Sequence, residues 1–216
     1  MEKRKKVDVF FLRPGYELQY VAAGDDNGGS VSASHRKGFR VQLIRPSAGD
    51  RDEYLQLVRD SRSLHRPWVY PPKSAEDFAL YLRRTRSRDR VDFFLRNKAT
   101  SDLLGVFELS VIVRGPLRST FLGFYALAPY AGKGYMKEGL ALVLDEAFET
   151  LKLHRVEASI QPGNERSLGL VESCGFRCEG YSQKYLKIGG RWRDHERWAI
   201  LSDEWRVHPS RRRRRR

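Results

Sequence analysis

The chain has 216 residues, of which 40% are hydrophobic and 12% aromatic, enough to bury one substantial core. No apolar run approaches the roughly 18 residues that a membrane span needs, and the apolar stretch after the basic start MEKRKK is too short for a secretory signal. We therefore expect a cytoplasmic globular protein that neither spans a membrane nor is exported.

The positive charge is concentrated at the two ends of the chain. The formal net charge is +14, of which residues 1–6 contribute +3 and Arg211 to Arg216 contribute +6. A run of arginines repels itself and cannot build a core, so we expect residues 207–216 to form an Arg-rich disordered tail. Such a tail either makes weak contact with RNA or the ribosome or is solvated without a dedicated partner.

The two cysteines indicate neither a disulfide framework nor a metal site. Cys174 and Cys178 are four positions apart, and no histidine stands at a zinc-ligand spacing from them. We expect no metal, and two reduced thiols packed in or near the core beside Phe176.

The first half of the chain predicts a loose segment followed by the start of a domain. Because residues 24–37 are rich in Gly, Ser, Asp and Asn, we expect an N-terminal arm and flexible linker over 1–37 and the domain over 38–206. The first strand is predicted in FRVQLI, and one helix in GDRDEYLQLVRDSRSLH, ended by the prolines of HRPWVYPP. Ser74 and Asp77 have the capping-box spacing that opens a second helix.

The second half predicts alternating strands and helices. Strands are predicted in VDFFLRN, LLGVFELSVIVRG, TFLGFYAL and RVEASI, and the polar turn KATSD places the first two side by side in antiparallel. The spacing of apolar residues predicts helices over 133–151 and over about 164–174, and a final hairpin turns at Gly189-Gly190. This order predicts a mixed α/β fold with an antiparallel meander and one strand-helix-strand crossover.

Two glycines stand at the start of the predicted helix over 133–151, in the segment APYAGKGYMKEGL. The first N–H groups of a helix lack intrahelical partners and carry partial positive charge, so they attract anions. Gly132 and Gly134 would let a phosphate approach these groups, and Lys133 adds a cation. The alternative is a plain strand-to-helix turn, since neither G-x-x-x-x-G-K-[ST] nor G-x-G-x-x-G is present.

Three separated segments resemble the GNAT superfamily of acyl-CoA N-acetyltransferases, and more closely its ribosomal-protein alanine N-acetyltransferase branch. They are YAGKGYMKEGLALVLDEAF, NERSLGLVESCGFRCEG and YLKIGGRWRDHERWAIL, and the similarity spans most of 38–206. The resemblance implies a GNAT-like acyl-CoA N-acyltransferase fold, in which a mostly antiparallel, splayed sheet is flanked by helices. It also implies acetyl-CoA as cosubstrate.

The family's pyrophosphate loop, Q/R-x-x-G-x-G/A, falls on one run of this chain. Its six positions are Ala131, Gly132, Lys133, Gly134, Tyr135 and Met136. Gly134 keeps the central glycine, whereas Ala131 replaces the leading Gln or Arg. The resemblance therefore implies that backbone donors of this loop bind the pyrophosphate, with less help from side chains than in other members.

Further cofactor contacts are implied by the same resemblance. The backbone of Tyr125, Ala126 and Leu127 would pair with the pantetheine arm like an added strand. Asn164 and Ser167 match positions at which the family contacts the cofactor, although Asn164 can also cap its helix.

The resemblance implies direct transfer, in which a neutral amine attacks the acetyl thioester without a covalent enzyme intermediate. The Leu127 N–H is the predicted oxyanion donor, worth about 10²–10³ in rate by analogy with other such donors. Glu108 is the predicted general base, directly or through water; the alternative is a solvent-facing strand residue, since the strand register is unknown. Where many members carry a tyrosine general acid this chain has Val171, so the thiolate would take its proton from water or another group, with Ser167 a weak candidate.

The last hairpin carries GGRWRDH, a segment that resembles one common in this branch. Trp192 is predicted to pack the hairpin against the body of the domain. Asp194 or His195 would either orient a side chain or meet the acceptor, with the structural role favoured.

Three functions stay open at this stage. The first is acetylation of the N-terminal α-amino group of a protein such as a ribosomal protein. The second is acetylation of a small amine, such as an amino acid, a polyamine or an antibiotic, and the third is CoA binding without turnover. An α-amino group, with a pKa of about 7.7–8.0, needs less help from a base than a lysine near 10.4. We expect a monomer or a homodimer.

Overall fold

A computed structural model describes residues 39–212. The arm and linker predicted over 1–37, and the last four residues of the predicted tail, lie outside the described residues. None of the helices between residues 39 and 212 is long and apolar enough to cross a membrane.

One sheet organises the described part of the chain. Its strands are β1 (Val41–Ile44), β2 (Val91–Asn97), β3 (Leu103–Val113), β4 (Ser119–Ala126), β5 (Arg155–Ile160), β6 (Arg177–Ile188) and β7 (Arg191–Leu201). The strands lie in the order β1-β2-β3-β4-β5-β7-β6, and every neighbouring pair is antiparallel except β4 and β5. The expected mostly antiparallel α/β architecture is confirmed.

Helices cover both faces of this sheet. They are α1 (Arg51–Asp60), α2 (Arg62–His65), α3 (Ala75–Arg84), α4 (Tyr135–Asp145), α5 (Glu165–Glu172), α6 (Ser202–Val207) and α7 (Pro209–Arg212). A π-helical turn, Glu146–Thr150, continues α4 to nearly the predicted end. The single turn α7 falls inside the range predicted as tail.

Two apolar clusters hold the layers together. On one face, α4 buries Leu140 and Leu144 against Phe107 and other residues of the sheet. On the other face, α1 and α3 bury Tyr54 and Phe78 against Phe94 of β2. Successive residues of a strand point to opposite faces, so β2 and β3, apolar on both sides, serve both clusters.

The sheet is splayed between β4 and β5. The two strands pair in parallel over three residue pairs, ending at Phe121 and Glu157. From Leu122 onward, β4 has no strand paired on that side, although its other edge stays paired with β3 as far as Ala126. A cleft therefore opens in the middle of the sheet.

Ser61 divides the helix predicted over 49–65 into α1 and α2. Its hydroxyl donates to the Leu57 carbonyl at 2.6 Å and accepts from the Ala128 N–H at 2.8 Å. A serine that bonds back to its own helix competes with the backbone ladder and favours a bend. The break thereby ties the first helical segment to the chain that follows β4.

Candidate active site

The glycine loop after β4 has the backbone geometry that the sequence indicates. Gly132 and Gly134 have φ of +77° and +80°, the left-handed region that side chains disfavour. Gly134 is the N-cap of α4 and has no side chain to accept from the first helical N–H groups. Those donors are left for a ligand, and an anion fits them.

Arg40, just before β1, fastens this loop. Its guanidinium donates to the Lys133 carbonyl at 3.1 Å and pairs with Glu138 in the first turn of α4. It also lies 4.4 Å from the centre of the Tyr135 ring. These contacts fix the loop from outside the cleft.

A cleft of about 1030 Å³ runs from the glycine loop along the open edge of β4 to α5. Eight of the ten predicted cofactor residues line it: Tyr125, Ala126, Gly132, Gly134, Tyr135, Met136, Asn164 and Ser167. Lys133 does not, and its ammonium lies instead 5.9 Å from the Tyr130 ring centre. Asn164 caps α5 by accepting from the Ser167 N–H at 3.4 Å while also facing the cleft.

The prediction that the Leu127 N–H is the oxyanion donor is wrong. Its N–H donates to the Leu104 carbonyl at 3.0 Å, and its side chain is fully buried away from the cleft. In an antiparallel ladder, alternate residues direct both backbone groups to the same neighbour, so Tyr125, like Leu127, bonds toward β3. The backbone of Phe124 and Ala126 is directed to the open side. Of the three predicted strand contacts, Ala126 alone presents its backbone to the cleft.

A second cavity, of about 780 Å³, lies on the α1 and α3 side of the splay. Its charged lining residues are Arg59, Arg62, Arg66, Lys73, Asp77, Arg84, Arg90 and Glu108. His65, Val69 and Tyr125 line this cavity and the cleft alike, so the two spaces meet at these residues. We call the second space the acceptor cavity, after the role proposed for it below.

Glu108, the predicted base, lies in the acceptor cavity. It stands opposite Gly123 of β4, where an added Cβ would come within 3.4 Å of its carboxylate, so the glycine leaves room for it. Burial raises the pKa of Glu108, and the partner Arg90, at 2.9 Å, opposes that rise. The carboxyl is half-buried and close to the meeting point of the two spaces.

Arg90 joins Glu108 to a second carboxylate. It pairs with Asp92, 2.7 Å away and fully buried, whose pKa is also raised by burial. One oxygen of Asp92 has no hydrogen-bond partner among the described residues. The guanidinium therefore divides its charge between two carboxylates, which leaves Glu108 only partly neutralised.

Tyr81 and Tyr125 form the floor of the acceptor cavity, and Tyr54, which does not line it, contacts both of them. The hydroxyls of Tyr54 and Tyr125 are 2.8 Å apart, and Tyr54 stacks with Phe94 at 5.5 Å between ring centres. Burial raises the pKa of Tyr54, Tyr81 and Tyr125. All three phenols thus stay protonated and add no charge beside Glu108.

His65 holds the strand edge at the meeting point. Its Nε2 lies 2.9 Å from the Ala126 carbonyl, which can only accept, so Nε2 carries the proton. Burial lowers the pKa of His65, and Nδ1 is buried without a partner among the described residues. The neutral imidazole positions Ala126.

The exposure of four further residues can be compared with what the sequence predicts for them. Val171 is fully buried, and so is Cys174, where burial raises the thiol pKa to about 11. Cys178, predicted near the core, is exposed instead, because it lies on the solvent side of the edge strand β6. Trp192 is 61% exposed and does not pack the hairpin against the body.

The last hairpin is held by other residues than Trp192. Asp194 accepts from the Tyr181 hydroxyl and the Lys184 N–H, each at 2.7 Å, which bridges β6 and β7. His195 is buried, lines the cleft and lies 3.0 Å from the Arg193 carbonyl. The structural role favoured for Asp194 fits these contacts.

Arg40, His65 and the cations of the acceptor cavity were not predicted as site residues. Arg59 and Arg62 do carry a signal, because residues three apart share a face of a continuous helix, but Ser61 interrupts the helix between them and Arg66 follows the end of α2. Arg40 and His65 carry none, because their partners are distant in sequence. In the part of the chain that the structure describes, no group of three or more His, Cys, Asp or Glu could hold a metal ion.

Known proteins are similar to this chain in sequence and in structure. Residues 40–177 match the family of acetyltransferase (GNAT) domains. A Bacillus subtilis protein described as a probable N-acetyltransferase, YjcK, is 38% identical over 124 residues, which cover 57% of this chain and 68% of that protein. The ribosomal protein uS5 alanine N-acetyltransferase of Escherichia coli is 35% identical over 113 residues, which cover 52% of this chain and 58% of that enzyme.

Solved structures agree with this fold. RimJ of Mycobacterium smegmatis, in complex with CoA-disulfide, superposes with a TM-score of 0.70 at 26% identity, covering 76% of this chain and 83% of that one. Spermidine N-acetyltransferase from Vibrio cholerae, in complex with CoA and spermine, gives 0.67 at 25% identity, covering 77% of this chain and 98% of that one. Since the family match spans well over half of its residues, the chain belongs to the GNAT family of acetyltransferases.

Proposed function

We propose that the protein transfers an acetyl group from acetyl-CoA to the N-terminal α-amino group of a protein, such as a ribosomal protein. The observation that carries the proposal is the meeting of two cavities at Tyr125 and His65, one bordered by the glycine loop and the other containing Glu108. Such an arrangement brings a donor and an acceptor together from opposite sides of the splay. Holding two reactants in this way removes much of the entropic barrier to their reaction.

The cleft residues suit acetyl-CoA. The N–H groups at the start of α4 would bind the pyrophosphate, because Gly132 and Gly134 leave them uncovered. Asn164 and Ser167 would face the cofactor from α5. Acetyl-CoA supplies an acetyl thioester that a neutral amine can attack. The open backbone of Phe124 and Ala126, rather than that of Leu127, offers the N–H groups for a developing negative charge.

Glu108 would take the proton of the attacking amine. Its raised pKa brings the carboxyl closer to the pKa of an α-amino group, which favours proton transfer between them. A free α-amino group, with a pKa of about 7.7–8.0, is in part already neutral near neutral pH, so one weak base suffices. A lysine side chain would require more.

The relatives support an amine acceptor but do not agree on which one. One is named for the alanine of a ribosomal protein and another for spermidine. The cations around the acceptor cavity favour the first kind, because a polyamine would enter against like charge. A protein that only bound CoA would have no use for a carboxylate at the position of Glu108.

An acetylation assay distinguishes these acceptors. Acetyl-CoA is supplied with N-terminal peptides, purified ribosomal proteins, spermidine and a panel of amino acids, and thiol release is followed. We expect turnover with the peptides or ribosomal proteins. Acetylation of small amines alone would reject the protein acceptor, and tight CoA binding without any turnover would support a binding protein. Mass spectrometry of protein N-termini in cells with and without the chain would then identify the natural substrate.

The arginine run at the end of the chain would bring the enzyme toward RNA-bound substrates. For each phosphate that the run neutralises, the log-log slope of affinity against salt steepens by about 0.7–0.9. Deleting residues 211–216 should therefore flatten the salt dependence of ribosome binding while leaving peptide acetylation intact. Unchanged association after the deletion would mean that the run is passive.

A further inference from the structure

The acceptor cavity has an excess of unpaired positive charge. Five exposed cations line it, and among the described residues none of them forms an ion pair: Arg59, Arg62, Arg66, Lys73 and Arg84. Against them stand only two lining carboxylates, Asp77 and Glu108. Glu108 is already partnered by Arg90, and the Asp77 carboxylate faces the Lys73 N–H at the start of α3. We call the five residues the cationic wall.

Local contacts do not account for the cationic wall. Arg59 donates to Gln56 at 2.6 Å and Arg66 lies 4.0 Å from the centre of the Tyr70 ring, both of which leave the charge in place. These contacts orient the two guanidinium groups without neutralising them. Like charges gathered around one opening repel one another, so an anionic ligand that enters is stabilised by all of them.

The phosphates of CoA do not explain the wall either. The anion-binding loop, residues 131–137, borders the other cavity, and none of its residues lines this one. The wall belongs to α1, α2, α3 and the connection between them, on the side of the splay that the proposed function gives to the acceptor. Its charge therefore acts on the acceptor.

An acceptor for this site must carry an amine at its reacting end and groups compatible with positive charge behind it. Its amine has to reach Glu108, and the groups behind the amine pass between the cations of the wall. A chain of amino acids advances about 3.3 Å per residue when extended, so the side chains of the first few residues would lie beside the wall.

We propose that the natural acceptor is a polypeptide whose N-terminal residue is followed closely by aspartate or glutamate. This inference rests on the proposed function and names the class of N-terminus that the site selects. The carboxylates would pair with the wall, and Arg59, Arg62 and Arg66 can meet them in succession because all three line the cavity, from α1 through α2 to the residue that follows α2.

The same wall would help the chemistry. Positive charges near an amine disfavour its protonated form and lower its pKa, so a larger fraction of the acceptor is neutral and able to attack. A polyamine would be disfavoured on both counts, because its remaining ammonium groups would meet the wall without any carboxylate to offset the repulsion. Selection and activation then come from the same residues.

Three short peptides test the inference. They share the N-terminal alanine and the C-terminal half, and differ only in carrying acidic, neutral or basic side chains directly after the alanine. We expect kcat/KM to be about tenfold higher for the acidic than for the neutral peptide, and lower again for the basic one. The preference should shrink as salt is raised, because the pairs are exposed.

A matched pair of variants assigns the preference to the wall. The double variant Arg59→Glu with Arg62→Glu should reverse the order of the acidic and basic peptides. The control, Arg83→Glu with Arg88→Glu, makes the same change in net charge at exposed residues outside the cavity and should keep the order. Circular dichroism and CoA affinity, unchanged in both variants, would show that the fold and the cofactor cleft are intact.

The possible outcomes separate the inference from the proposed function. Equal rates on the three peptides, or efficient turnover of spermidine, would overturn the preference for an acidic N-terminus. Neither result would contradict N-acetyltransferase activity. Loss of CoA affinity in the Arg59 and Arg62 variant would assign the wall to the cofactor and overturn that preference too. Turnover of amino acids with no peptide acetylated would refute the proposed function and the inference together.

Discussion

The cofactor cleft and the acceptor cavity meet at Tyr125 but are built from different parts of the protein. In the cleft, the polar groups that suit a cofactor are mainly backbone: the N–H groups of a helix start beside the positive-φ glycines Gly132 and Gly134, and an unpaired strand edge. The acceptor cavity is lined by side chains, with a tyrosine floor, the carboxylate Glu108 and the cationic wall. A backbone site binds one constant ligand, whereas a side-chain site can be changed residue by residue to suit a new acceptor.

The largest effect is expected from replacing Glu108, the proposed general base. Glu108→Gln keeps the shape and a hydrogen bond to Arg90 but removes the base, so kcat should fall about 10²–10⁴-fold. Because burial raises the pKa of Glu108, wild-type activity should rise with pH through that raised value, and the variant should lack this limb. The ratio of the two rates is therefore greatest above that pKa and shrinks below it.

The pH profile is the decisive measurement for Glu108. Calorimetry should give the same CoA affinity for both proteins, since Glu108 does not line the cleft. Equal rates over the whole pH range would remove Glu108 from the reaction and leave water as the base.

A large effect confined to the cofactor side is expected from Gly134→Glu. A side chain at φ +80° costs about 1–2 kcal/mol, and the added carboxylate would repel a pyrophosphate, for a loss of roughly 100-fold or more in CoA affinity. Gly169→Glu on the exposed face of α5, where an added Cβ meets nothing within 4 Å, is the control for charge. Calorimetry on the two folded variants measures the difference, and equal CoA affinity would contradict the loop assignment.

A smaller effect, on stability, is expected from the floor of the acceptor cavity. Tyr125→Phe removes the bond to Tyr54 and leaves that buried hydroxyl without a partner, which costs about 1–3 kcal/mol in the free energy of unfolding. Tyr54→Phe should cost a similar amount, and the double variant less than the sum of both. Urea unfolding of all four proteins gives the coupling, and strict additivity would show that the hydroxyl pair contributes nothing.

The smallest effect is expected from the fastening of the glycine loop. Arg40→Ala removes a half-exposed ion pair with Glu138 and a bond to the Lys133 carbonyl, so CoA affinity should drop about two- to fivefold. Glu138→Gln tests the ion pair alone and should have a lesser effect. If Arg40→Ala lowered CoA affinity as much as Gly134→Glu does, side chains would matter as much as backbone for cofactor binding. The contrast between the two spaces would then fail.

This contrast also explains what could be predicted from the sequence. The glycines, the Asn164 cap and the order of strands along the chain are local signals, and they predicted the mixed α/β class and the glycine loop, whereas the other cleft residues were implied by the family resemblance. Leu127 was misassigned as a donor because a shift of one residue turns a strand's backbone groups to the other side, and the β3 to β4 register is set by tertiary pairing.

The acceptor cavity was beyond such prediction for a related reason. Its residues come from separate helices, from β3 and from β4, and they acquire a common role only when the chain is folded. His65 illustrates this, because the carbonyl it contacts lies 61 positions along the chain. Nor could Trp192 be placed, since a tryptophan's usual burial says nothing of a hairpin that is held by Asp194.

The break at Ser61 links the two spaces. Its hydroxyl holds the Ala128 N–H, and His65, one turn on, holds the Ala126 carbonyl, so α2 is attached to the chain on both sides of Leu127. Arg62, on the same short helix, lines the cavity proposed for the acceptor. Any movement of α2 on acceptor binding is thus shared by the strand that borders the cofactor. By thermodynamic reciprocity, an acceptor that tightens CoA binding through α2 is itself bound more tightly, by the same factor, once CoA is in place.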